Sequence, residues 1–189
     1  MIASIIVEGE QDRLFIDSVL RSASLQQPFE VVVAGGRSSA ISLARSYLTL
    51  PDHSVGLVVD SETTFRRQLL EQESNLADLV SAIAPRWRSR VFLAIPELES
   101  CLFEPQIASL AFKQSLSAET MISGRFEPKK TAMELLGVTE AGYTRALKLL
   151  LASPELLAKL STALPFRDII EFVEAAATAE HTATRATVA

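Results

Sequence analysis

Cysteine, histidine and tryptophan are scarce in this chain of 189 residues, which has one Cys, one Trp and two His. A single cysteine, Cys101, excludes an internal disulfide, and with only His53 and His181 beside it no structural zinc cluster can be assembled. Cys101 reads as a small core residue on a helix. No run of eighteen apolar residues occurs and the start carries no basic leader, so neither a membrane span nor a signal peptide is expected. The expected location is cytoplasmic. The formal charge of -5 argues against non-specific nucleic-acid binding by the whole surface, and leaves local contacts open.

What is present is 48% apolar content in a length suited to one core. Strand and helix signals alternate in the first half, the pattern of a parallel sheet covered on both faces. Strands are expected near residues 2–7, 30–34, 55–60 and 90–95, with helices over 11–24, 37–49 and 65–84. After Phe103 the pattern turns helical, near 105–115, 129–136, 139–151, 153–162 and 165–178, broken by Pro105, Pro128, Gly137, Pro154 and Pro165. The division expected is an α/β domain over 1–103, a helical extension packed on it over 104–178, and a mobile tail over 179–189. The Leu-rich stretch 147–160 suits core or a homodimer surface equally.

Acidic residues punctuate the strand ends. Ile2–Val7 runs into Glu8-Gly9-Glu10-Gln11-Asp12, and Val55–Val59 runs into Asp60-Ser61-Glu62. Parallel strands would bring Glu8, Asp60 and Glu62 to one rim, where open α/β sheets carry their chemistry. Carboxylates gathered in this way repel one another, and oxygen-only ligands favour Mg²⁺ or Mn²⁺. Asp12, one helical turn on, suits either this rim or a solvated first turn, and Glu10 suits solvent. Of Glu97 and Glu99, which follow the fourth strand, at most one is expected to face the acids. Gly35-Gly36 permits a tight turn or the close approach of a phosphate, and Arg37 beside it a phosphate contact or plain exposure. Trp87 with Arg86, Arg88 and Arg90 is a basic aromatic cluster, but it precedes the fourth strand and so belongs to the opposite edge of the sheet.

The Glu8-Gly9-x-x-Asp12 turn, the Gly35-Gly36 pair and Asp60-x-Glu62 resemble the TOPRIM domain, and Ile95-Pro96-Glu97-Leu98-Glu99-Ser100-Cys101-Leu102 resembles a segment of TOPRIM proteins close to the OLD (overcoming lysogenization defect) nucleases. The family's usual second acid after the third strand is Asp, where this chain has Glu62. The resemblance implies a TOPRIM (Rossmann-like) parallel sheet of about four strands with a C-terminal helical extension. It also implies a Mg²⁺-dependent endonuclease acting on DNA or RNA, with metal ligands Glu8, Asp12, Asp60, Glu62 and Glu99 and an assisting lysine at Lys129 or Lys130. Gly35, Gly36 and Arg37 would then lie on the substrate side.

OLD-like nucleases carry an ATPase, yet no G-x-x-x-x-G-K-[ST] pattern occurs here. The resemblance therefore implies a stand-alone TOPRIM subunit, an effector of anti-phage defence working with a separate ATPase protein. With only Tyr47 and Tyr143, neither beside the acids in sequence, a tyrosyl topoisomerase is disfavoured. The rivals are a receiver-like module with Asp60 as phosphate acceptor and an inactive metal-binding scaffold.

Overall fold

Strand β1 (Ile2–Val7) is buried along almost its whole length, which requires cover on both faces and a strand on either side. In the computed structural model, which describes residues 1–186, β1 pairs in parallel with β2 (Phe29–Val33) and with β3 (His53–Asp60), and β3 pairs in parallel with β4 (Ser89–Ala94). The side chains of Arg86 and of residues 177–186 are not among those described. The strand order is β2-β1-β3-β4. The chain leaves β1 to one side through α1 (Glu10–Ser22). It crosses back through α2 (Arg37–Leu48) to the other side, and α3 (Arg66–Ser81) leads on to β4. The order thus reverses between β1 and β3, and at such a point the carboxyl ends of the strands open a crevice.

Alternation along the strands sorts the core into two layers. Ile6, Val55, Leu57 and Val59 meet Ala40, Ala44 and Leu48 of α2 and Leu76 and Val80 of α3. Ala3, Ile5, Val7, Val58, Phe92 and Ala94 face α1 and the helices that follow the sheet. Those helices are α4 (Pro105–Phe112), α5 (Ala118–Phe126), α6 (Pro128–Leu136), α7 (Glu140–Leu150), α8 (Pro154–Leu160) and α9 (Phe166–Ala186). Their apolar sides join the same core: Phe166 stacks toward Phe15 of α1 with ring centroids 6.2 Å apart, and Phe172 meets Phe92 of β4 edge-on at 5.8 Å. Burial of these rings makes the helical segment part of the sheet's own core, because side chains of this size carry the largest apolar areas.

The expected elements are found with shifted ends. The helix expected over 105–115 stops at Phe112, where Lys113 takes a left-handed φ of 53°. Helix α5 was not expected. Its nine residues, with Gly124 among them, have little apolar periodicity, and its only clear signal is Ser117, whose hydroxyl accepts from the Thr120 N–H. Helix α9 continues through Ala186, across residues expected in a tail, and 187–189 lie outside the described residues. Cys101 is buried in a 3₁₀ turn, Leu98–Phe103. In the Leu-rich stretch Leu147, Leu151, Leu156 and Leu160 are core, while Leu149 is exposed.

Gly124 allows α5 to lie directly on the Phe103 ring, since a Cβ built at Gly124 would fall 2.1 Å from that ring. Gly124→Ala should therefore destabilise the protein by about 1–3 kcal/mol despite alanine's better helix propensity, because a ring packed in a core cannot step aside. Urea unfolding of the two proteins measures it; an unchanged midpoint would contradict this packing.

Candidate metal centre at the carboxyl rim

The rim is assembled first by backbone. The Ala34 N–H donates to the Val7 carbonyl, and the Gly35 and Gly36 N–H groups both donate to the Glu8 carbonyl at 2.9 Å. Gly35 and Gly36 have φ of 83° and 128°, a conformation that favours glycine. Their amides are thus engaged in tying β2 to the end of β1. Arg37, which follows, donates from Nε to Glu8 Oε1 at 3.4 Å and from its guanidinium to the Asp60 carbonyl, bridging the ends of β1 and β3. The Asp60 N–H donates to Glu8 Oε1 at 3.2 Å. The Glu8 carboxylate is therefore held between a strand end and a guanidinium.

Asp12 turns back to its helix start, accepting the Gly9 N–H at 2.8 Å. Asp60 accepts the Leu98 N–H at 3.2 Å, which ties the 3₁₀ turn after β4 to the end of β3. That turn carries Glu99, only 3% exposed, whose Oε1 accepts the Tyr143 hydroxyl from α7 at 3.3 Å. Glu97 lies at the mouth of the turn and accepts the Lys129 N–H of α6 at 3.3 Å. Lys129 Nζ pairs with Glu140 at 2.6 Å. One pocket of about 380 Å³ is lined by Glu8, Asp12, Asp60, Glu97, Glu99 and Lys129, with Thr144 on its helical wall.

The electrostatics are those of negative charge withheld from water. Burial first, then the charges of Asp12, Glu99, Glu8 and Glu97, push the Asp60 carboxyl up to about 8. Burial, opposed by the Gly9 N–H and aided by Glu8, raises Asp12 to about 6. Burial, with Asp12 and Glu97, raises Glu99 to about 7, and Tyr143 beside it is also raised by its own burial and by Glu99. At Lys129, burial acts to lower the pKa. Glu140, Glu99 and Glu97 outweigh it, so the ammonium is held above its ordinary value.

The remaining expected residues lie elsewhere. Glu62 is exposed at a left-handed φ of 54°, its N–H donates to the Pro96 carbonyl, and it does not line the pocket. Lys130 is exposed and pairs with Glu127 at 2.8 Å. Arg37 and Gly35-Gly36 sit behind Glu8 rather than on the pocket wall. Glu10, read as a solvated acid, lies at the pocket edge and pairs with Arg13. Trp87 is exposed at the amino end of β4, and Arg88 beside it donates to the His53 carbonyl. Sequence reasoning favoured only one of Glu97 and Glu99, yet both line the pocket. Thr144 and Tyr143 come from a helix far along the chain and had no local signal.

Donor chemistry fits a hard divalent cation: several carboxylate oxygens, no soft ligand, and a neighbouring charge deficit that protonation or a cation must relieve. Among the described residues no group of three or more His, Cys, Asp or Glu side chains is placed to hold a metal ion together as it stands. Mg²⁺ does not require one, since it retains waters and takes only one or two protein carboxylates.

A sign follows for stability. The folded-state pKa values of Asp12, Glu99 and Asp60 exceed their unfolded values, so the folded protein binds extra protons in between. Their contribution is fully present below the unfolded values and is lost as pH rises through the range from about 6 to about 8. Cation-free protein should melt higher at pH 5.5 than at pH 8.5 by roughly 5 °C or more. Mn²⁺ should restore the loss at pH 8.5, and Asp60→Asn should flatten the profile. Scanning calorimetry with and without Mn²⁺ checks this; a cation-free melting point that rises from pH 5.5 to 8.5 would contradict it.

Neither the protein-family comparison nor the comparison with curated proteins yields a match. Solved structures do. The C-terminal region of the Burkholderia pseudomallei OLD protein aligns with a TM-score of 0.56 at 18% identity, covering 90% of this chain and 96% of that one. The C-terminal region of the Xanthomonas campestris pv. campestris OLD protein aligns with a TM-score of 0.56 at 17% identity, covering 95% and 97%. The helical segment after the sheet is therefore included in the likeness, and the chain has the TOPRIM-type α/β fold of the C-terminal region of OLD proteins.

Proposed function

We propose that this protein is an endonuclease that hydrolyses nucleic-acid phosphodiester bonds with Mg²⁺ or Mn²⁺ at the carboxyl rim. The observation that carries the reading is the gathering of Glu8, Asp12, Asp60, Glu97, Glu99 and Lys129 around one pocket at the switch point of a parallel sheet. The fold shared with the OLD C-terminal region supports it. Glu8, Asp12, Asp60 and Glu99 would hold the metal, whose bound form supplies charge neutralisation and an acidified water. Arg37 and the Asp60 N–H both bond Glu8 Oε1, which leaves Oε2 as the oxygen Glu8 would offer. Lys129 brings the pocket's ammonium, and its raised pKa keeps it charged where a phosphodiester gathers negative charge. Glu62, exposed beside the rim, would act on the metal only through water or substrate.

A receiver role would place a phosphoryl group on Asp60, among four other acids. Hydrolysis suits that surrounding better. A role in anti-phage defence with an ATPase partner belongs to the same proposal, and its support is the fold shared with the OLD C-terminal region.

Supercoiled plasmid, single-stranded DNA and transfer RNA should be offered to the protein with Mg²⁺ or Mn²⁺. Cleavage of at least one is expected, abolished by chelator and reduced roughly a hundredfold or more by Glu8→Gln or Asp60→Asn. Cleavage that persists unchanged in both variants would rule the reading out, and acetyl-phosphate labelling of Asp60 would favour the receiver.

A further inference from the structure

Helix α7 has one face turned to the rim. Tyr143 and Thr144 lie three and four residues beyond Glu140, a spacing that puts all three on one side of a helix. Thr144 lines the acidic pocket. Glu140 pairs with Lys129 at 2.6 Å, and the Lys129 ammonium stands 6.0 Å from the centre of the Tyr143 ring. Tyr143 itself is fully buried, in the core shared by the sheet and the helices that follow it.

A phenylalanine would fill that space as well, without a polar atom to bury. The tyrosine hydroxyl needs a partner inside the protein, because an O–H withheld from water without one is destabilising. Its partner is Glu99 Oε1, at 3.3 Å. No other side chain among the described residues is hydrogen-bonded to Glu99, since Lys129 is taken by Glu140. One oxygen of the carboxylate is thus engaged by the hydroxyl, and Oε2 is the one left to the pocket that Glu99 lines. The bond also has room to shorten, because a hydroxyl on a charged carboxylate approaches to about 2.5–2.7 Å. Tyr143 has no exposed surface with which to touch a substrate, so its effect on the site passes through Glu99.

We propose that Tyr143 is a positioning residue: its hydroxyl holds Glu99 Oε1 so that the carboxylate offers Oε2 to a divalent cation in the pocket. The proposal rests on the metal-dependent reading of the rim. A hydrogen bond behind a metal ligand fixes the direction of that ligand, and its loss weakens metal binding about ten- to a hundredfold. Glu99 depends on such support because it stands on a 3₁₀ turn, whose other acid, Glu97, is already bonded to α6.

Mn²⁺ affinity at pH 8, read from the electron paramagnetic resonance signal of the free ion, tests this without cleavage. Tyr143→Phe keeps the ring, and with it the packing and the approach of Lys129, and deletes only the hydroxyl. It should weaken Mn²⁺ binding about ten- to a hundredfold, with circular dichroism unchanged. Adding Tyr143→Phe to Glu99→Gln should change the affinity of that variant by less than about twofold, because residues that act as a unit are not additive. Wild-type crystals soaked in Mn²⁺ give a second reading that needs no variant: the cation should meet Glu99 through the oxygen that faces away from Tyr143. Unchanged affinity in Tyr143→Phe, losses that add in the double variant, or a cation on the oxygen that Tyr143 holds would overturn the proposal and leave the metal reading standing. A wild type that takes up no Mn²⁺ would overturn both. Uptake that depends on the hydroxyl, with no nucleic acid cleaved, would count against the nuclease and leave the role of Tyr143 in place.

Discussion

Mutual repulsion among carboxylates drawn out of water is the constraint on which the rest of this structure depends. A parallel sheet whose order reverses between β1 and β3 must bring the ends of those strands together, and here both ends are acids. The cost is visible in Asp60, Glu99 and Asp12, all shifted toward the protonated form by burial and by one another. A fold that only needed to be stable would place apolar or neutral residues there, because unpaired buried charge is destabilising. In the proposed function a divalent cation would supply the balancing charge.

The helices after the sheet take part in this balance. Tyr143 donates to the most buried acid, Glu99, and Lys129 with its backbone N–H meets Glu97. Phe103, against which Gly124 packs, ends the same turn that carries Glu99. Loss of the helical segment would therefore remove both a wall of the pocket and half of the sheet's core. The site is a product of the whole described chain.

Strand and helix order were legible in the sequence because β1 and β3 are continuous apolar runs that end in acids, a pattern with few readings in a parallel sheet. Glu8, Asp12 and Asp60 were legible as candidates for the same reason, each standing at a strand end or within a turn of one, whereas Glu99 was chosen over Glu97 only by the resemblance of its segment to the OLD nucleases. Glu62 shows the limit of that logic. It shares the motif with Asp60, but it is exposed at a left-handed φ and does not line the pocket, and nothing in the local pattern signals that φ. The pairing of Tyr143 with Glu99 joins residues 44 apart through packing of α7, so it could emerge only from tertiary structure. Helix α5 escaped notice because a short helix with weak apolar periodicity is specified by its contact with Phe103 rather than by its own sequence.

Anomalous diffraction from crystals soaked in Mn²⁺ tests the central claim most directly, since it locates the cation without requiring activity. The account predicts a peak within coordination distance of Asp60 and at least one of Glu8, Asp12 and Glu99. A peak confined to other surface acids, or none in the pocket at millimolar Mn²⁺ and pH 8, would contradict it.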